Sequence, residues 1–114
     1  MAAAVLTFAV VRNLYKMWRI SRLSRRIASG YALDKHVVKK NEFSNILKCP
    51  TKEEFKKHVR HVMKHGKHKK FAGGKKEAWY DKNSNTIVIH DPANKDGGTA
   101  FRPHKGEQYF NDLK

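Results

Sequence analysis

Three residues of this chain stand in settings that suit chemistry on a phosphate: His36, Thr99 and Arg102. His36 sits beside Lys35, just after a helix exit at Gly30 and Tyr31. An imidazole with cationic neighbours gives up its proton more easily, so it is neutral near pH 7 and able to accept one. A general base needs that property. The plainer alternative for His36 is an ordinary surface histidine. The stretch DGGTAFRP, Asp96 to Pro103, is the most informative local segment. Its two glycines let backbone amides approach an anion, Thr99 supplies a hydroxyl, and Arg102 supplies a fork-shaped guanidinium that fits phosphate. On a regular strand, Thr99 and Arg102 face opposite sides unless a bulge or strand end intervenes. The competing reading is a turn and an edge strand in which Arg102 neutralises nearby carboxylates.

His58, His61, His65 and His68 follow one another at spacings of three or four residues, with the first three along one helix side. Such imidazoles can share a metal ion, yet the surroundings are strongly cationic and no carboxylate stands beside them. A solvated or phosphate-facing flank is the better reading, and no metal site is assigned. The sequence has no closely spaced carboxylate set for magnesium, no H-E-x-x-H, no Walker loop and no nucleophile elbow. An enzyme with this inventory works without a metal or other cofactor. Cleavage of RNA suits it, because the 2′-hydroxyl of the substrate is the nucleophile and the protein supplies a base, an acid and cationic stabilisation.

The elements that position these residues come from a chain of 114 residues with 25 Lys plus Arg against 10 Asp plus Glu, a formal charge of +15. That length holds one modest core and excludes a TIM barrel, which needs about 250 residues. So much positive charge points to a polyanionic partner, with nucleic acid ahead of an anionic membrane or an acidic protein. The single cysteine, Cys49, excludes an intramolecular disulfide and a thiolate zinc site. Ala2 to Val11 is almost wholly apolar, but no basic residues precede it, so a signal peptide is not expected. It is also shorter than the ~20 residues of a bilayer span.

Residues 1–40 carry nine basic side chains and one acidic, residues 52–76 ten and two, and residues 77–114 five and six. Basic helices around a nearly neutral sheet are the simplest arrangement. Ala2 to Ser29 has helix-forming composition, with Leu14, Met17, Trp18 and Ile20 among Arg12, Lys16, Arg19, Arg22, Arg25 and Arg26. Such a basic amphipathic helix lies on a membrane or a phosphate backbone, or buries its apolar stripe in its own domain. Thr51 and Glu54 have capping-box spacing and predict a helix over 52–65. Phe55, Val59, Val62 and Met63 form its apolar face, opposite Lys56, Lys57, Arg60 and Lys64. Beyond Gly73 and Gly74 the pattern alternates, predicting an antiparallel hairpin of Glu77–Tyr80 with Thr86–His90. Ile87 and Ile89 fall on one face and Thr86, Val88 and His90 on the other. A third strand over Thr99–Arg102 follows, then a short strand or helical turn within Gly106–Leu113. The Lys/His-rich stretch from Lys64 to Lys76 reads as low in complexity.

Three segments together, GYALDKHVVKKNEF from Gly30, FAGGKKEAWYDKNSNTIVIHDP from Phe71 and DGGTAFRPHKGEQYFNDL from Asp96, resemble the carboxy-terminal toxin modules of bacterial polymorphic and contact-dependent growth inhibition systems. The resemblance is closest to ribonuclease toxins of the barnase, EndoU, colicin and RelE type and covers residues 30–114. It implies an α+β fold with amino-terminal helices on a twisted antiparallel sheet. It also implies a metal-independent endoribonuclease, often directed at tRNA, that acts in the cytoplasm of a target bacterium. A cognate immunity protein, expected to be acidic from charge complementarity, would block it. By position, His36 is implied as acid or base, Thr99 as a hydrogen-bond partner of the phosphate and Arg102 as the transition-state cation. Lys35, Lys56, Lys57, Arg60, Lys75 and Lys76 are the expected RNA contacts. Where the family pattern has Gly-Arg before an aromatic strand, this chain has Lys75-Lys76, an ammonium in place of a guanidinium fork. Residues 1–29 have no counterpart in the resemblance and are set apart as a basic amphipathic segment. A noncatalytic RNA- or DNA-binding module is the alternative reading of the chain, and a membrane-surface protein is a third.

Overall fold

A computed structural model describes residues 7–30, 35, 43 and 51–114. His36 lies outside the described residues. Helix α1 spans Phe8–Ser29. Thr7 starts it by accepting the Val10 amide at 3.2 Å, and the chain leaves it at Gly30, whose amide bonds to the Ile27 carbonyl. Helix α2 spans Lys52–His65, and the Thr51 hydroxyl accepts the Glu54 amide at 3.2 Å as the spacing predicts. Both helices lack internal Pro and Gly, so their apolar periodicity decides which sides are buried.

Four strands follow: β1 Lys67–Phe71, β2 Lys76–Asp81, β3 Thr86–His90 and β4 Gly98–Phe101. They form one antiparallel sheet in the order β1-β2-β3-β4. A short helix, α3 Glu107–Asp112, ends the fold. The molecule is therefore α+β, with α1 and α2 on a four-stranded antiparallel sheet. The β2–β3 hairpin, β4 and the final helical turn agree with the sequence pattern. Strand β1 does not: KHKKF lacks apolar alternation, and the stretch read as low in complexity is an edge strand. Lysines suit that position, because charge on a sheet edge discourages pairing with other chains.

Alternation divides the sheet into two packed faces. Trp79, Val88 and Ala100 meet Ile20, Leu23, Ile27 and Ala28 of α1 and Phe55, Val59, Val62 and Met63 of α2. Full burial of each large aliphatic or aromatic side chain there contributes about 1.5–3 kcal/mol. Ala78, Tyr80 and Ile87 form the second cluster with Phe110 of α3. The carboxy-terminal half of α1 is thus an integral wall of the core. Phe43 adds a fully buried ring 5.3 Å from Phe55.

Two glycines are dictated by close approach. A Cβ at Gly66 would stand 2.6 Å from the Val62 carbonyl oxygen and 2.8 Å from that of Tyr80, so α2 could not turn so tightly onto β2. At Gly98 a Cβ would lie 1.8 Å from the Ile89 oxygen, at a φ of +143°. Only glycine lets β4 begin beside β3.

Candidate functional site

One groove runs between α1, the end of α2 and strands β1 and β2. It encloses about 250 Å³. Its cationic rim is Arg12, Lys16, Arg19 and Lys64, and Ile20, Met63 and Trp79 give it an apolar wall. Helical spacing of three and four puts Arg12, Lys16 and Arg19 on one side of α1. The β1–β2 register pairs His68 with Trp79. Their rings stack with centroids 5.0 Å apart and planes 21° from parallel.

Glu77 organises the groove. It is 8% exposed and accepts two hydrogen bonds from the Arg19 guanidinium, at 2.5 and 3.2 Å. Its Oε2 is also 2.9 Å from His68 Nε2. Burial by itself pushes the Glu77 carboxyl up, but the hydrogen bonds and charges of Arg19 and His68 outweigh it and hold the group below the usual carboxylate range. The hydrogen bond to Glu77 raises Arg19 in turn. Nε2 of His68 is committed to the carboxylate, and this pairing fixes the orientation of the ring. His90 lies across the β2–β3 ladder from Glu77. Burial first, and then the Arg19 charge, lower its pKa.

Arg102 serves a different corner. Its Nε donates to the Ser84 carbonyl at 3.1 Å, at the β2–β3 turn. There Ser84 Oγ is 2.6 Å from Asp81 Oδ2 and 3.0 Å from Thr86 Oγ1, and Thr86 Oγ1 is 2.9 Å from His58 Nε2. His58 is 9% exposed and packs edge-on against Phe43, so it belongs to the core face of α2 and not to the solvated flank expected for it. Burial lowers its pKa most, and His61 and Arg102 add to this against the opposing Asp81. Glu77 and Asp81 are four residues apart on β2, about 13 Å at strand rise. The Arg102 corner is thus removed from Glu77 along β2, and neither Arg102 nor its neighbours Ser84, Thr86 and His58 line the groove.

Thr99 pairs with Ile89, a residue packed toward α3, while the next residue, Ala100, enters the opposite core. Thr99 Oγ1 is buried with no hydrogen-bond partner. Alternation thus carries Thr99 away from Arg102, and the structure does not gather the two around one hollow. Of the expected RNA contacts, Lys57 and Lys75 are exposed and Lys35 and Arg60 are half-buried. Lys56 is paired with Glu53 at 2.9 Å and Lys76 with Asp91 at 3.6 Å. None of these six lines the groove. Among the described residues no group of His, Cys, Asp and Glu is placed to hold a metal ion, and no helix is long and apolar enough to cross a membrane.

Sequence reasoning passed over Arg19, His68, Glu77 and Trp79 as a set. The signal available was the short Phe71–Lys76 connection, which folds β1 back on β2 and brings residue 68 beside 77 and 79. No family model, curated protein or solved structure matches this chain.

Proposed function

We propose that this protein is a metal-independent endoribonuclease whose working site is the groove of Arg19, His68 and Glu77. The observation that carries the reading is the hydrogen-bonded Arg19–Glu77–His68 chain at a cavity rimmed by four cations. A carboxylate that orients an imidazole, next to several phosphate-binding side chains, is a site arranged for acid–base work on a phosphodiester. The 2′-oxygen of RNA attacks phosphorus and its proton passes to His68 Nδ1. The bond from phosphorus to the 5′-oxygen breaks, and the departing oxygen takes a proton back, leaving a 2′,3′-cyclic phosphate and a 5′-hydroxyl. Lys16, Lys64 and Arg12 offset the charge that builds on the phosphate oxygens, and the His68–Trp79 stack offers a flat edge to a base.

The resemblance to bacterial toxin modules supports the same activity, with tRNA as the substrate class and the cytoplasm of a target cell as the place of action. It also supports an acidic immunity protein as the inhibitor, for which the groove rim is the complementary surface. The test is cleavage of tRNA by the purified chain in EDTA, comparing H68A and E77Q with H36A and R102A. Loss in the first pair alone assigns chemistry to the groove, and loss in the second pair alone moves it to the residues the resemblance implies. RNA binding without cleavage by the parent protein would establish the noncatalytic module instead. That second reading has its own support, because Arg19 and His68 both spend hydrogen bonds on Glu77.

A further inference from the structure

Helix α1 has two apolar sides. Ile20, Leu23 and Ile27 lie in the core, but Phe8, Val10, Val11, Leu14, Tyr15 and Trp18 face solvent. Trp18 and Ile27 are nine residues apart, about two and a half turns, and so point in opposite directions. The exposure is large: 80% for Phe8, 57% for Leu14 and 56% for Trp18. Val11, Leu14 and Trp18 follow one another at spacings of three and four, which makes a continuous stripe over the first three turns. Contiguous apolar surface of this kind marks an interaction site.

The charge around the stripe identifies its partner. Residues 7–30 contain no acidic side chain, and α1 carries Arg12, Lys16, Arg19, Arg22, Arg25 and Arg26. The Arg12 guanidinium lies 5.4 Å from the centroid of Phe8 and that of Arg22 lies 5.5 Å from the centroid of Trp18. Cations thus border the apolar rings along the stripe. A second copy of the chain would set these arginines against their own counterparts, at a formal +15 on each partner. An anionic bilayer satisfies both features, since acyl chains accept the apolar side chains and phosphate headgroups accept the guanidinium forks. Trp18 and Tyr15, whose rings are 6.0 Å apart, are the residue types that settle at the boundary between headgroups and hydrocarbon.

We propose that the amino-terminal half of α1 docks this protein in the plane of an anionic phospholipid surface, with Val11, Leu14 and Trp18 inserted and Arg12 and Arg22 at the headgroups. The helix lies on the bilayer without crossing it, because its other face is committed to the core. The inserted residues Val11, Leu14 and Trp18 lie outside the groove, which shares Arg12 and Tyr15 with the docking face, and the docking does not rest on RNA chemistry there.

The test is flotation of the full chain with vesicles of mixed phosphatidylglycerol and phosphatidylcholine, and with phosphatidylcholine alone, at physiological salt. The double variant L14S/W18S keeps the net charge, and circular dichroism verifies its fold. Anionic vesicles should bind the parent at least tenfold more tightly than neutral ones, and the double variant should lose at least tenfold of that affinity. Brominated acyl chains should quench part of the tryptophan emission in the parent and none of it in W18F. Equal binding by parent and L14S/W18S would reduce the effect to bulk charge and overturn the proposal, as would absence of vesicle binding. A parent dimer in analytical ultracentrifugation that L14S/W18S dissolves would assign the stripe to a second copy.

Discussion

Arg19 and Glu77, 58 residues apart in sequence, meet in a two-pronged ion pair that fastens the first helix to the second strand. The pair lines the groove, and the same carboxylate aligns His68. One interaction therefore links the attachment of α1 to the geometry of the candidate site.

R19A should destabilise the fold by about 2 kcal/mol, because it strands a buried carboxylate. The value lies below that of a fully buried pair because the Arg19 side chain is 34% exposed. Urea denaturation measures it. In a double-mutant cycle, E77Q combined with R19A should cost less than the sum of the single changes. Strict additivity would show that the pair contributes no coupling.

In EDTA, H68A should lower the rate of tRNA cleavage about 100-fold or more with little change in stability, as expected for loss of a proton-transfer group. E77Q keeps the shape and loses the charge that orients the imidazole. It should lower kcat and displace the pH profile, whereas K16A and K64A should mainly raise KM. A shift in the pH profile would not come from a structural role for Glu77 alone.

Each cation removed from the groove rim should reduce the salt dependence of RNA binding. For single-stranded RNA, the slope of log affinity against log salt should fall by about 0.7 for each of R12A, K16A and K64A. The same change at Lys82, an exposed residue of the β2–β3 turn, should leave the slope unaltered. Filter binding at several salt concentrations distinguishes these outcomes.

Folding favours neutral His58, since burial lowers its pKa. A histidine depressed in the folded state contributes its stability fully above the unfolded pKa of about 6.5 and loses it as pH falls through the lower folded value. Thermal unfolding should therefore shift to lower temperature below about pH 6.5. H58Q should flatten that part of the curve, and an unchanged slope would assign it to other groups.

T99V should stabilise the protein by about 1 kcal/mol, because it removes a buried hydroxyl that has no partner. Full ribonuclease activity in T99V would separate Thr99 from the chemistry, and a large loss would return it to the site that the resemblance implies.

Much of the architecture was legible in the order of residues because its causes are local. Thr51 with Glu54 and the 55, 59, 62, 63 face specify α2, and alternation through Ile87, Val88 and Ile89 specifies which sheet face each residue serves. Alternation also set Thr99 and Arg102 on opposite faces unless a bulge or strand end intervened, and only the structure decided that they part. Strand β1 escaped because its residues find polar partners on both sides, with His68 on Glu77 and Lys67 on Glu107. Hydropathy cannot separate two polar sides. His58 escaped for the opposite reason: a polar residue at helical spacing reads as solvated until a partner such as Thr86 is known. The sequence by itself determined the charge, the antiparallel hairpin and the two long helices, all consequences of composition and short-range period. Only the tertiary structure decided that Arg19 would find Glu77 and that half of α1 would be core while the other half faced water, because both depend on contacts between segments that no local pattern encodes.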